Sequence, residues 1–231
     1  MTTAWIWMAD ADAVDDAALL RYREWLSDGE LARYQRFARA QRLRQFVVGR
    51  VLLRMALGRL LDVAPQDVVL AEQVGKAPLL VAPVVDGAGP GFSISHSGRW
   101  VACSVSAQTP LGLDIEVVDA GRDLAALAAQ TFDAREIAQW RGLPEARRVD
   151  GFYRLWSEKE ARFKLGLPIN PHGGMLGSDP KGSDPDLSGW QSVQSPSGGY
   201  CVALPHEELA VVLCSERRLD TAPQIEIVTL P

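Results

Sequence analysis

The longest hydrophobic pattern in the chain has the period of an α-helix. Over residues 41–61, apolar side chains recur at intervals close to 3.6 residues. They are Leu43, Phe46, Val47, Leu53, Leu57, Leu60 and Leu61. A second long helix is predicted over 146–165, because Gly166 then supplies a common helix stop. Ser27 and Glu30 have the spacing of a capping box, which predicts that a shorter helix begins there.

Shorter apolar runs predict strands. The runs 92–95 and 100–106 predict a hairpin around the turn Ser97-Gly98-Arg99, and 111–118 is the next strand. Further strands are predicted at 3–8, 68–73, 78–81, 200–204, 209–215 and 225–228, and shorter helices at 16–26, 123–131 and 133–141. Residues 178–199 are rich in Gly, Ser, Pro and Asp, which predicts a flexible surface loop.

The predicted elements form two groups, each with helices followed by strands. The groups meet near residues 107–111, so we predict an N-terminal half over 1–108 and a C-terminal half over 109–231. Apolar residues make up 47% of the chain and charged residues 23%, which is typical of a globular protein.

The number and spacing of the cysteines, and the composition of the first residues, predict a cytoplasmic location. Cys103, Cys201 and Cys214 are an odd number without CxxC spacing, which argues against a disulfide framework or a zinc site and favours a reducing cytoplasm. We find neither a signal peptide nor an apolar run of about 18 residues, so no membrane association is predicted.

The charge of the chain is unevenly distributed. The net charge is −5, yet seven arginines and no acidic residue lie between Arg33 and Arg54. Such a block attracts anions, either phosphates or an acidic partner surface. Alternatively, these arginines form the solvated polar face of an amphipathic helix. The overall acidity argues against nucleic-acid binding.

Two carboxylates share one face of the strand over 111–118. Asp114 and Glu116 point to the same side because side chains alternate along a strand. Two adjacent carboxylates repel each other unless a cation lies between them, and Mg²⁺ prefers oxygen ligands of this kind. The alternative is a solvated outer face of an edge strand.

The helix over 146–165 carries a second set of charged residues. Trp156, Glu160 and Lys164 follow one stripe at i, i+4 and i+8, with Lys159 beside it. Glu160 and Lys164 either form a surface salt bridge or have separate roles. In the second case Glu160 is a metal ligand and Lys164 is a cation directed at a phosphate. His96 lies among hydroxyl side chains before a glycine turn, which can bind phosphate oxygens or can be purely structural.

The order and spacing of these segments resemble one enzyme family. They are Ser95-His96-Ser97, then Gly112-Leu113-Asp114-Ile115-Glu116, then Trp156-Ser157-Glu158-Lys159-Glu160-Ala161-Arg162-Phe163-Lys164. Arg36-Phe37 and Gly75-Lys76-x-Pro78 add to the likeness, which spans about residues 30–166. The chain resembles the surfactin-synthetase-activating type of the 4′-phosphopantetheinyl transferase superfamily, in the variant with a Lys-Glu-Ala helix motif.

The resemblance implies a reaction and a set of roles. The family moves 4′-phosphopantetheine from coenzyme A to a serine of an apo acyl or peptidyl carrier protein, as holo-acyl-carrier-protein synthases do. By resemblance, Mg²⁺ is held by Asp114, Glu116 and Glu160. The base is Glu160, directly or through a water, or Glu116, and Lys164 neutralises or protonates the departing phosphate. The residues expected to bind coenzyme A are Lys76, Ser95, His96, Lys159, Lys164 and Arg36.

The resemblance also implies an α+β fold of two similar halves, a pseudo-dimer in which each half packs a helix on a mostly antiparallel sheet. Coenzyme A would bind between the halves of a monomer. One position departs from the pattern, because Gln45 stands where many members have an arginine, which leaves the contact to the 3′-phosphate of coenzyme A open. Two alternatives remain: another Mg²⁺-dependent phosphotransferase, although no GxxxxGK[ST] loop is present, and a non-catalytic module that binds carrier proteins.

Overall fold

A computed structural model describes residues 1–73, 76–87, 89–167, 193–194 and 198–230, with 193–194 described as backbone alone. His172 and most of the predicted loop over 178–199 lie outside these residues. The described chain is α+β and divides into two compact units. The first contains residues 1–111 and 220–231, and the second contains residues 112–219.

The helices and strands follow the predicted order, except that a short strand at Val193–Gln194 lies within the segment predicted to be a loop. The helices are α1 (Asp16–Arg23), α2 (Asp28–Tyr34), α3 (Ala40–Leu61), α4 (Leu124–Thr131), α5 (Ala134–Arg141) and α6 (Arg148–Leu165). The strands are β1 (Trp5–Asp10), β2 (Val69–Ala71), β3 (Leu79–Ala82), β4 (Gly91–Ser97), β5 (Trp100–Ser106), β6 (Leu111–Val117), β7 (Val193–Gln194), β8 (Tyr200–Leu204), β9 (Leu209–Ser215) and β10 (Gln224–Ile227). The two long helices predicted from periodicity are therefore present, each within two residues of its predicted start.

The first unit packs α3 on a four-stranded sheet of order β10-β1-β5-β4. Strand β5 is antiparallel to both β1 and β4, whereas β10 is parallel to β1. Helix α3 forms the core against the sheet, and its side chains at Val48, Val51, Leu52, Leu53 and Leu57 have no exposed surface. Residues 47–54 are all buried, so in its middle the helix is covered on every side, beyond the stripe predicted from the period.

The C-terminal strand belongs to the first unit. Trp5 of β1 pairs with Gln224 of β10, and the parallel register continues to Met8 and Ile227. Strand β10, which lies within the predicted C-terminal half in sequence, therefore joins the sheet of the first unit. This pairing spans more than 200 residues, so no local pattern indicates it.

The capping box at Ser27 and Glu30 is confirmed, and its glutamate has a second role. The Ser27 backbone N–H donates to Glu30 Oε2 at 2.8 Å. Glu30 is fully buried, and Arg54 donates to both of its oxygens, at 3.1 Å and 2.5 Å. Arg50 contacts Glu30 at 3.0 Å and also pairs with Glu72.

Part of the arginine block is thus neither a solvated face nor a site for anions. Arg50 and Arg54 lie on the buried side of α3, where carboxylates from other elements neutralise them. Burial has the largest effect on the pKa of Arg50 and lowers it, whereas the charge and hydrogen bond of Glu72 raise it. Removal of one partner from such a buried set costs more than loss of a surface pair, because a charge is left without compensation.

The second unit packs α6 on a sheet of order β6-β9-β8-β7. Strand β8 is antiparallel to both β7 and β9. Helices α4 and α5 pack on α6 through an apolar cluster whose buried members are Leu124, Ala128, Phe132, Trp140, Phe152, Tyr153 and Leu155. Among the described residues, no helix has the length and apolar character needed to cross a membrane.

The argument against disulfide bonding is wrong for two of the three cysteines. Cys201 and Cys214 are direct cross-strand partners on β8 and β9, and they form a disulfide with a Cα–Cα distance of 4.1 Å. Cys103 is buried as a free thiol, and burial raises its pKa. Strand register, which the cysteine spacing does not reveal, brings the pair together.

Candidate active site

A close approach of strand to helix organises the second unit. A Cβ at Gly112 of β6 would lie 1.9 Å from the carbonyl oxygen of Ala161 and 2.8 Å from the backbone nitrogen of Leu165. Only glycine fits against α6 at this point, and Ala161 on the facing side is fully buried. The small residues of the two sequence motifs therefore bring the backbones of β6 and α6 into contact.

This packing joins Lys164 to Asp114. The Lys164 ammonium donates to Asp114 Oδ1 at 2.8 Å and to the Leu113 carbonyl at 2.9 Å. Asp114 is 4% exposed, so the interpretation of β6 as a solvated edge does not hold at this residue. Lys164 also has a partner 50 residues away on a strand, which a simple i,i+4 surface bridge would not give.

The carboxylates predicted to hold a metal lie on these two elements. Glu116 on β6 and Glu160 on α6 are half-buried. Among the described residues, no three His, Cys, Asp or Glu side chains are close enough together to hold a metal ion. The structure therefore does not assemble Asp114, Glu116 and Glu160 into a closed three-carboxylate site.

The donor set nevertheless suits Mg²⁺. This ion binds oxygen ligands and commonly takes only one or two carboxylates together with substrate phosphates and water. Asp114 already holds a cationic group, the Lys164 ammonium, in a largely buried position. Its surroundings therefore accept positive charge, as a metal ligand requires.

Lys159 has a partner that sequence reasoning did not indicate. Its ammonium donates to Glu136 Oε2 at 2.7 Å and to the Thr131 carbonyl at 2.9 Å. Glu136 is buried and caps α5 through the Asp133 backbone N–H. Lys159 thus holds the end of α4 and the start of α5 against α6.

Glu158 was also missed by sequence reasoning. Its side chain is 14% exposed and lies 3.8 Å from the Arg162 guanidinium. Burial raises its pKa from 4.5 to about 7, although Arg162 and Arg154 oppose the shift. A glutamate in a charged stretch of helix gives no sign of such burial, which depends on the packing of α6 in the tertiary structure.

The residues of the first unit that are predicted to bind coenzyme A differ in how far they are exposed to solvent. Ser95 is buried in β4, His96 next to it is exposed, and Arg36 and Lys76 are exposed. Gly75, which precedes Lys76, lies outside the described residues. The turn after β4 is confirmed, and Gly98 there has φ of +56°.

Two arginines lie close in sequence to Gln45, the residue that departs from the family pattern, and their surroundings differ. Arg44 pairs with Asp16 and donates to the carbonyls of Ala11 and Val14. Arg42, to which the sequence analysis gave no role of its own, contacts the ring of His96. Membership in the arginine block was the only signal that could have indicated it.

Comparison with known proteins defines the class. A family model described as "4'-phosphopantetheinyl transferase, N-terminal" matches residues 15–108, and one described as "4'-phosphopantetheinyl transferase superfamily" matches residues 110–179. The protein psf-1 of Bacillus pumilus, a 4′-phosphopantetheinyl transferase, is 30% identical over 186 residues, which cover 80% of this chain and 71% of the relative. The chain belongs to the 4′-phosphopantetheinyl transferase superfamily.

Other relatives match over less of their length. The 4′-phosphopantetheinyl transferase HetI of a Nostoc species is 35% identical over 139 residues, which cover 60% of this chain and 58% of HetI. The transferase Sfp of Bacillus subtilis is 28% identical over 156 residues, which cover 65% of this chain and 66% of Sfp. The matched region thus spans less than two thirds of HetI.

Proposed function

We propose that this protein transfers 4′-phosphopantetheine from coenzyme A to a serine of an apo acyl or peptidyl carrier protein, as an enzyme of the Sfp-like type. The observation that carries the proposal is the contact between Lys164 and the buried Asp114, held in place by the packing of Gly112 on Ala161. It joins the two most specific motifs of the family. A cation and carboxylates in one place suit chemistry at a phosphodiester.

The reaction exchanges one bond to phosphorus for another. The serine Oγ forms a bond to the β-phosphorus of coenzyme A, and the bond from that phosphorus to the bridging oxygen breaks. The electron pair leaves with adenosine 3′,5′-bisphosphate, and the serine proton passes to a carboxylate. Glu160 is the first candidate for this base and Glu116 the second.

Asp114, Glu116 and Glu160 would hold Mg²⁺. When bound, this ion neutralises charge on the pyrophosphate and orients it for displacement. Lys164 would stabilise or protonate the departing phosphate, and its ammonium contacts one of the three carboxylates, Asp114.

On the coenzyme A side we propose Lys76, Ser95, His96, Lys159, Lys164 and Arg36. We further propose that the chain is a pseudo-dimer of two similar halves, which meet near residue 109. Each unit contains one long helix packed on a four-stranded sheet, which supports that proposal. The cytoplasmic location and the monomeric state stay predictions.

A carrier panel tests the function. The protein is incubated with coenzyme A, Mg²⁺ and several apo carrier proteins, and intact masses are recorded. We expect at least one carrier to gain a single phosphopantetheine group, and EDTA to abolish the gain. Asp114→Asn should fold and lose nearly all transfer, whereas Asp150→Asn, which changes an exposed carboxylate of the same unit, should keep it.

The alternatives give different results. Coenzyme A binding without modification of any carrier would favour a non-catalytic module. Transfer of a different phosphoryl group would favour another phosphotransferase. Full turnover by Asp114→Asn would remove the proposed role of β6 in metal binding while leaving the reaction itself intact.

A further inference from the structure

A groove of about 320 Å³ lies at one edge of the sheet in the first unit, where β10 pairs with β1. Trp5 and Trp7 form its wall on β1, and they project from the same face because they are two positions apart on the strand. Gln224 and Glu226 are their register partners on β10, so they share this face. Arg59 from the last turn of α3 also lines the groove. None of these residues has a role in the proposed transfer reaction.

Arg59 is held over the two indole rings of this edge groove. Its guanidinium carbon lies 5.9 Å from the centre of the Trp5 ring and 5.5 Å from the centre of the Trp7 ring. Both distances are within the range of cation–π attraction, so the rings hold the positive charge in place without neutralising it. The charge is therefore positioned before any ligand arrives, which lowers the entropy cost of binding.

The charge of Arg59 is only loosely compensated. Within the part of the chain that the structure describes, its carboxylate partner is Glu226, with Arg59 Nη1 3.4 Å from Glu226 Oε2. A strong charge-assisted hydrogen bond is shorter, at roughly 2.7–2.9 Å. The two side chains are 60% and 56% exposed, and ion pairs of this kind contribute little to stability. A carboxylate from a ligand can therefore replace Glu226 at the guanidinium at little cost.

The groove also offers a flat apolar surface and a neutral donor. Trp5 is 42% exposed, whereas tryptophan is highly buried on average. The face of an indole ring binds flat apolar groups by stacking. Gln224 is exposed beside it, and its side-chain amide can donate a hydrogen bond to an anion. A flat surface, a positioned cation and an amide donor thus line one groove.

We propose that this edge groove binds a small organic anion with a flat apolar body, such as an aromatic carboxylate. The flat body stacks on Trp5, while the carboxylate accepts hydrogen bonds from Arg59 and Gln224. The volume is at the lower end of the range for small-molecule sites, which favours a small molecule over a peptide or a nucleotide. This site is independent of the proposed function, because its residues take no part in the candidate active site.

Nuclear magnetic resonance with a defined probe tests the site. The full chain, labelled with ¹⁵N, is titrated with 2-naphthoate, and the indole N–H signals of the groove are assigned from Trp5→Phe and Trp7→Phe. We expect these two signals to shift in a saturable manner with a Kd of roughly 1 mM, the affinity of a ligand of about thirteen non-hydrogen atoms at ordinary efficiency. The probe 2-naphthylmethylammonium, which has the same flat body and the opposite charge, should cause no saturable shift.

Substitutions test the role of each charge. Arg59→Gln should weaken naphthoate binding at least about tenfold, because it removes a hydrogen bond from a charged donor. Arg23→Gln, which removes an exposed arginine of α1 in the same unit, should leave the Kd unchanged. Glu226→Gln should strengthen binding roughly twofold to fivefold, because it removes the carboxylate that competes for Arg59. The dispersion of the remaining signals shows whether each variant is folded.

Three results would overturn the inference. They are the absence of a saturable shift at Trp5 up to about 10 mM probe, equal naphthoate affinity of Arg59→Gln and the wild type, and tighter binding of the ammonium probe. Shifts of the same signals on dilution of the free protein would assign the groove to contact between copies of the chain, and would overturn the inference as well. Carrier modification by Arg59→Gln should match that of the wild type, so this site and the proposed function succeed or fail in separate measurements.

Discussion

Replacement of Glu158 by glutamine should change how the stability of the protein depends on pH. The folded protein holds this carboxyl in a buried position on α6, which raises its pKa from 4.5 to about 7. The folded state therefore retains a proton that the unfolded chain releases between these two values. Stability decreases as pH rises through that window, because the folded state binds more protons there than the unfolded state.

The size of the effect follows from the shift. Each pKa unit corresponds to about 1.4 kcal/mol, so the free energy of unfolding should fall by about 3 kcal/mol between pH 4.5 and pH 7 on account of this group. Glutamine resembles the protonated acid in shape and charge. Glu158→Gln should therefore be more stable than the wild type by about 1 kcal/mol or less at pH 5 and by about 3 kcal/mol at pH 8.

Urea unfolding followed by tryptophan fluorescence measures the difference at pH 5, 6, 7 and 8. The comparison of variant with wild type cancels the titration of other groups. Glu145→Gln, which changes an exposed carboxylate in the same unit, provides the control and should show no trend with pH. A constant difference between Glu158→Gln and the wild type across this range would refute the burial argument.

Two further substitutions test the packing. Gly112→Ala should destabilise the protein by at least about 2 kcal/mol, since its Cβ would overlap the Ala161 carbonyl, whereas Gly29→Ala on the exposed side of α2 should be neutral or slightly stabilising. Equal denaturation midpoints for the two variants would contradict the close contact of β6 with α6. Glu30→Ala should cost roughly 3–5 kcal/mol because it leaves Arg54 buried without its carboxylate. A loss below about 1 kcal/mol, the range of exposed pairs, would show that water reaches this arginine.

Local rules in the sequence predicted the elements and some of their ends. The recurrence of apolar residues predicted the extent of α3, although its middle, residues 47–54, is buried all round and not along one stripe alone. The spacing of Ser27 and Glu30 predicted the start of α2 because a capping box forms between residues three positions apart. The order and spacing of the two motifs indicated the family by resemblance, and the small residues within them, Gly112 and Ala161, are those that allow β6 to pack closely on α6. These features depend on neighbours in sequence or on residue size.

Tertiary structure decided which charged groups meet. Glu30 pairs with Arg54, Lys164 reaches Asp114, and Arg42 rather than Arg44 reaches His96, although the same sequence patterns allowed other partners. The Cys201–Cys214 disulfide and the pairing of β10 with β1 likewise depend on strand register across long separations. Charge attraction and cysteine chemistry act between whichever side chains packing brings together, so their partners follow from the faces that the fold buries.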